Sequence, residues 1–270
     1  MRVVDLTLPL YPYMPVGSVW AWDSPFVLTP VTTHERQGVA THQMSFHSEA
    51  GTRLMLTACY DDTAPRIDEL DYQKLTNRDT VVLDVPKQAG EEIEPEDIDR
   101  IADDPDYREG DAVLLRTGWG DDERYRKLGD EYATTTPHFS LPGAERFAEL
   151  LKEKRSDLML TDCAYIGNLG EKFMYPEWSS RKPWDRPPFP SQQARIYLRH
   201  YTPQRGAGGG APDWASSVVL HKATSPVAAL ANCGALRSKR VKVTVLPLFL
   251  AGAHGAPCTV LAVDEPQESQ

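Results

Sequence analysis

No run of apolar residues in this chain approaches the roughly 18 that a membrane-spanning helix requires. The N-terminus lacks the basic and then apolar order of a secretory signal, so a cytoplasmic protein is expected. Basic clusters are scarce too: Lys and Arg number 29 against 39 Asp and Glu, a formal net charge of −10. The longest basic cluster, Arg237-Ser238-Lys239-Arg240, lies between two apolar segments, where a solvated turn accounts for it. Nucleic acid, which needs Lys and Arg gathered on one face, is not an expected partner. The four cysteines, Cys59, Cys163, Cys233 and Cys258, lie far apart without a C-x-x-C spacing, which argues against a zinc ribbon and against a disulfide framework. Internal repeats are absent and nothing demands a domain break, so 1–270 is read as one domain, with a 41% hydrophobic fraction to build its core.

What is present reads as strands mixed with a few helices. Residues 3–10 alternate into a Pro-rich turn and predict a first strand and loop. Residues 80–85, rich in β-branched side chains, predict a buried strand, and an acidic stretch after it predicts a helix from about Glu94-Pro95. Residues 111–119 predict a core strand that ends at Gly118 and presents Trp119. Ser140, with Pro142 in the first turn and apolar residues at three- and four-residue spacing, predicts a capped helix. The strand at 158–161 then delivers Asp162 and Cys163 to its end. Residues 166–215 combine aromatics, prolines and a glycine run; a lid over a ring-containing substrate and a loop that wraps a neighbouring subunit are equally good readings. The C-terminal part is read as a strand at 217–220 leading to His221, a short helix at 227–236 and a long strand at 241–250, with His254 in a turn.

The most informative stretch is residues 46–62, Phe-His-Ser-Glu-Ala-Gly-Thr-Arg-Leu-Met-Leu-Thr-Ala-Cys-Tyr-Asp-Asp. Its Gly51-Thr52 pair resembles the centre of H-x-G-T-H-x-D-x-P-x-H, the signature of the cyclase family that includes kynurenine formamidase and isatin hydrolase. Gly110 to Trp119 resembles that family's G-D-x-V-L-x-x-T-G-W segment, and Pro247 to Cys258 its closing P-L-x-L-x-G-x-x-G-x-P segment. The resemblance implies the swivelling β/β/α fold, an α/β architecture with a mixed central sheet, and a homodimer or homotetramer. Counted outward from Gly51-Thr52, the family's metal-binding histidines fall on Glu49, Arg53 and Cys59, its aspartate on Met55 and its proline on Thr57. The later histidine and glutamate fall on Ser216 and Ala228. None is the family residue.

Such a set cannot assemble the converging His, Asp and Glu ligands that a divalent site for hydrolysis needs. The expectation is therefore no metal and no other cofactor. In the leading reading the pocket is kept and runs metal-free acid/base chemistry. Arg53 replaces the cation and holds a developing oxyanion, and Glu49, His47 or Asp62 moves the proton. Cys59 is a candidate nucleophile that would need a depressed pKa. The expected lining is Tyr60 and Met55 beside the motif, Trp119, Asp162 and Tyr165 at strand ends, Trp178 and Trp184 in the aromatic loop, and Ser216 and His221 further on. Since ring closure needs shape and proton transfer but no activated water, and relatives occur in aromatic polyketide assembly, the resemblance implies a cyclase or dehydratase of natural-product metabolism acting on a small molecule. The alternatives are a metal-dependent amide, formamide or lactone hydrolase, and a ligand-binding protein without turnover.

Overall fold

The computed structural model describes residues 1–12, 14–17, 25–167 and 214–264. After β1 (Arg2–Asp5) comes a ribbon of β2 (Val27–Thr32) and β3 (Thr41–Ser45), joined through one helical turn, α1 (His34–Gln37). Next are β4 (Arg53–Met55), β5 (Arg78–Asp84), β6 (Glu92–Ile93), α2 (Pro95–Ala102) and β7 (Ala112–Arg116). Two short helices, α3 (Arg124–Leu128) and α4 (Asp130–Thr134), lead through β8 (His138–Phe139) to the longer α5 (Leu141–Glu153) and then β9 (Leu158–Thr161). The described chain resumes with α6 (Trp214–Ala223), β10 (Ser225–Ala228), β11 (Arg240–Pro247) and β12 (Gly255–Asp264).

One sheet organises these elements, in the order β1-β12-β11-β5-β7-β9-β10-β4, and β4 also pairs with β12, which closes it into a barrel-like ring. β5, β7, β9 and β10 run parallel, and β1, β4, β11 and β12 join antiparallel, giving the expected mixed α/β sheet. The parallel strands are buried on both faces, which is why they are almost wholly apolar. Side chains alternate across a strand. Val82, Leu114, Leu158 and Leu160 therefore point into the barrel. Val81, Leu83, Val113, Leu115 and Met159 meet the helices instead, packing with Ile98, Phe147 and Leu220.

Local signals set the helix ends. The Ser140 hydroxyl accepts from the Gly143 N–H at 3.1 Å and so caps α5. Glu94 precedes Pro95 at the start of α2, as the sequence predicts.

Three C-terminal assignments are corrected. Residues 217–220 lie in α6, not in a strand: the Val-Val pair suggests β structure, but α6 packs along α5, and that contact outweighs the propensity. Residues 227–236 are not one helix; a single 3-10 turn, Cys233–Ala235, is the helical part. Ser225–Ala228 is a strand, followed by Ala229 at φ +59° and Asn232 at φ +58°, left-handed positions that a right-handed helix cannot include. The strand read at 241–250 ends at Pro247, and the ten-residue β12, begun just after His254, goes undetected because Gly255 and Pro257 open it. Most of the irregular region, 168–213, lies outside the described residues. No helix among the described residues is long and apolar enough to cross a membrane.

Candidate active site

Gly51 and Thr52 are framework. Gly51 has φ +66°, a left-handed position that favours glycine. The buried Thr52 hydroxyl donates to the Ala229 carbonyl at 2.6 Å and accepts the Leu8 N–H at 2.7 Å, tying the N-terminal segment to the end of β10. The pair thus sets where β4 begins, whatever the following residues do.

Arg53 is the first residue of β4, held between Ala228 of β10 and Pro257 of β12. Leu54 turns into the barrel, which puts Arg53 and Met55 on the opposite face. Arg53 is only 1% exposed. Its Nη1 donates to the Gly51 carbonyl at 3.3 Å and its Nη2 to the Ala164 carbonyl at 2.8 Å, while the guanidinium carbon lies 4.7 Å from the centre of the Tyr165 ring. No described carboxylate comes within ion-pairing distance of it, and its buried Nε has no hydrogen-bond partner. An uncompensated buried charge costs several kcal/mol. The surface ion pair with Glu49 that a helical spacing would allow does not form.

A second buried group sits close by. His221, fully buried on α6, has Nδ1 2.6 Å from the Ser217 carbonyl, and its ring meets the Tyr60 ring edge-on at 4.9 Å. A carbonyl only accepts, so Nδ1 carries the hydrogen and the lone pair resides on Nε2. That Nε2 is buried without a partner. Burial pushes the His221 pKa down to about 4; the Ser217 carbonyl and Glu49 oppose this, and Arg53 reinforces it. The ring is neutral at pH 7.

Glu49 is half-buried, and its backbone N–H donates to His47 Nδ1 at 3.3 Å. Its charge reaches its neighbours: burial first and Glu49 second push the Cys59 thiol up to about 11, and the same two causes raise Tyr60. Cys59 donates to the His254 carbonyl at 3.3 Å. This environment suppresses a thiolate, the reverse of what a nucleophilic cysteine needs.

The structure therefore gathers Glu49, Arg53, Cys59, Tyr60, Tyr165 and His221 around β4 and α6, with Met55 on the same face of β4 as Arg53 and Ser216 fully buried on α6. Other candidates go elsewhere. Asp62 is exposed and pairs with Arg66 at 2.9 Å. Asp162 is fully buried, and its carboxylate accepts from the Thr117 hydroxyl and the N–H groups of Thr117, Gly118 and Gly120 at 2.7 to 3.4 Å. With those donors it holds the turn after β7 and has little capacity left for a substrate. Trp119 is core: its indole N–H donates to the Tyr132 carbonyl at 3.0 Å and its ring stacks on Tyr132 at 5.7 Å. Trp178 and Trp184 lie outside the described residues. Sequence reasoning missed Ser217 and Cys258. The first is found only from the four-residue step to His221, and the second only once β12 is placed beside Arg53.

Among the described residues no group of three or more His, Cys, Asp or Glu side chains converges to hold a metal ion. The signature positions carry Glu49, Arg53, Met55 and Cys59, and one of these is a buried cation. These residues do not fit the family's metal.

The closed mixed α/β sheet thus carries, beside β4 and α6, two buried polar groups without partners, Arg53 Nε and His221 Nε2. The family model described as "Putative cyclase" matches residues 4–167, and the chain belongs to that family. No curated protein matches the chain. Among solved structures, isatin hydrolase A from Labrenzia aggregata bound to benzyl benzoate superposes with a TM-score of 0.68 at 21% identity, covering 98% of this chain and 94% of that one. Isatin hydrolase A from Ralstonia solanacearum gives 0.68 at 16%, covering 98% and 92%. A "predicted metal-dependent hydrolase" from Bacillus stearothermophilus gives 0.61 at 18%, covering 98% of each. At these identities the likeness is one of fold.

Proposed function

We propose that this chain is a metal-independent member of the family, catalysing ring closure or dehydration of a small molecule by acid/base chemistry. The observation that carries this reading is Arg53: a buried guanidinium, with no described carboxylate beside it and an unspent Nε–H, at a position where the family signature places a metal ligand. A fixed cation in a dry site stabilises a developing enolate or carboxylate oxygen without reorganising. Holding a flexible substrate in a reactive conformer can supply on the order of several kcal/mol more. Glu49, half-buried and close enough for its charge to act on Cys59, Tyr60 and His221, is the candidate proton carrier within the motif, and the rings of Tyr60 and Tyr165 favour a substrate with aromatic or polyketide-like character. The exposed ribbon of β2 and β3, with Val31 60% and Met44 62% accessible, supports a homo-oligomer in which a second copy covers it.

The second reading is hydrolysis, favoured by the isatin hydrolase neighbours. Metal content by elemental analysis, with activity toward isatin and toward linear polyketone precursors before and after chelation, separates the two. Precursor turnover that survives chelation supports the proposal. Stoichiometric zinc or manganese whose removal abolishes isatin cleavage would replace it with the hydrolase.

A further inference from the structure

Two buried groups near β4 have complementary unmet needs. Arg53 offers a charged N–H donor with no acceptor, and His221 offers a neutral nitrogen lone pair with no donor. Each is at most 1% exposed, so bulk water does not satisfy them. The charges of Glu49 and of Arg53 both act on His221. Arg53 offers one unspent charged donor, which matches the single charge of a monoanion; the second charge of a dianion such as phosphate would be left unmatched, with Glu49 nearby to oppose it. The Tyr165 ring under the guanidinium and the Tyr60 ring against His221 add flat apolar faces.

Taking the acid/base reading above as given and naming its substrate class, we infer that the site binds a ring-bearing monocarboxylate with a hydroxyl or amino hydrogen close to the acid group. The carboxylate oxygen takes the Arg53 Nε–H, and the neighbouring O–H or N–H donates to His221 Nε2. The Ser217 carbonyl keeps the imidazole in the accepting tautomer. A ligand that offers only an acceptor to His221 leaves the lone pair facing another lone pair.

The test is calorimetric titration of the full chain with three probes of one shape: phenylacetamide, phenylacetate and mandelate. Phenylacetate is expected to bind roughly tenfold or more tighter than the amide, from one charge-assisted hydrogen bond, and mandelate another three- to tenfold tighter through its hydroxyl. In Arg53→Gln the acid-over-amide preference disappears; in His221→Leu it stays and the hydroxyl advantage disappears. Wild-type protein that binds acid and amide equally, or phenylacetate and mandelate equally, overturns the inference without any variant. These measurements need neither turnover nor metal. Acid preference in a protein that proves metal-dependent would sink the catalytic reading alone, and metal-free turnover without acid preference would sink this one alone.

Discussion

The guanidinium of Arg53 lies 4.7 Å from the centre of the Tyr165 ring, in a position where arginine is 1% exposed and has no described counterion. The ring face and two carbonyls recover part of the desolvation cost, a cation over an aromatic face contributing about 1–2 kcal/mol in a dry setting. They do not recover it all. Replacing the charge with a flexible apolar side chain is therefore expected to leave stability unchanged or raise it, by up to about 2 kcal/mol for Arg53→Met, while abolishing anion binding. Urea denaturation of the two proteins checks this. A loss above about 2 kcal/mol would make the guanidinium structural glue instead of a group kept for a ligand.

Asp162 should behave in the opposite way. Its carboxylate accepts from donors at Thr117, Gly118 and Gly120, in a segment where a Cβ on Gly120 would sit 2.1 Å from the Leu230 carbonyl. Asp162→Asn turns an amide toward backbone N–H groups and leaves donors unsatisfied. The expected cost is about 2–4 kcal/mol of stability, seen as a lower denaturation midpoint. An Asn variant as stable as the wild type but inactive would return Asp162 to the candidates for chemistry.

Cys59 is expected to be inert near neutral pH. With its thiol pushed up to about 11 by burial and by Glu49, the thiolate fraction at pH 7.5 is about 300-fold below that of an ordinary cysteine titrating near 8.5. Iodoacetamide labelling should be correspondingly slow, and Cys59→Ser should keep full activity. Rapid labelling at this one position would restore it as a nucleophile.

Much of the fold was legible because its signals are local. The β-branched run of β5, the Ser140 cap of α5 and the strand ending at Gly118 need only neighbours in sequence. The same holds for Gly51-Thr52, whose two residue types follow from a left-handed turn and a double hydrogen bond. The site was legible in part. The family spacing picked out Arg53, but arginine is almost never fully buried, and only the closing of β4 onto β10 and β12 reveals that it is. His221 was misplaced on a strand because the contact of α6 with α5, which makes the segment a helix, joins residues far apart in sequence. Asp62, three residues after Cys59, looked near the site only in sequence; its side chain is exposed and pairs with Arg66 instead.

His221 gives the protein a pH dependence whose sign is fixed. In the unfolded chain its imidazole takes a proton near pH 6.5, whereas in the folded chain burial holds the pKa down to about 4, against the pull of Glu49 and with the push of Arg53. Above pH 6.5 both states are neutral and the difference costs nothing. Between about 6.5 and 4 the unfolded state binds the proton and the folded state does not, so stability falls as pH falls, and below about 4 the loss is complete at roughly 3 kcal/mol. Carboxylates elsewhere also titrate on this limb, so the comparison must be with a variant that removes this group alone. His221→Asn is expected to lose less stability than the wild type between pH 7 and pH 4.5, by about 2 kcal/mol in urea denaturation. Binding a monocarboxylate on Arg53 adds a negative charge near the ring and should raise its pKa, shrinking the difference when mandelate is present. Parallel pH curves for the two proteins would mean that His221 titrates alike in the folded and unfolded chains, and that its imidazole is not held in the buried, unsatisfied setting assigned to it.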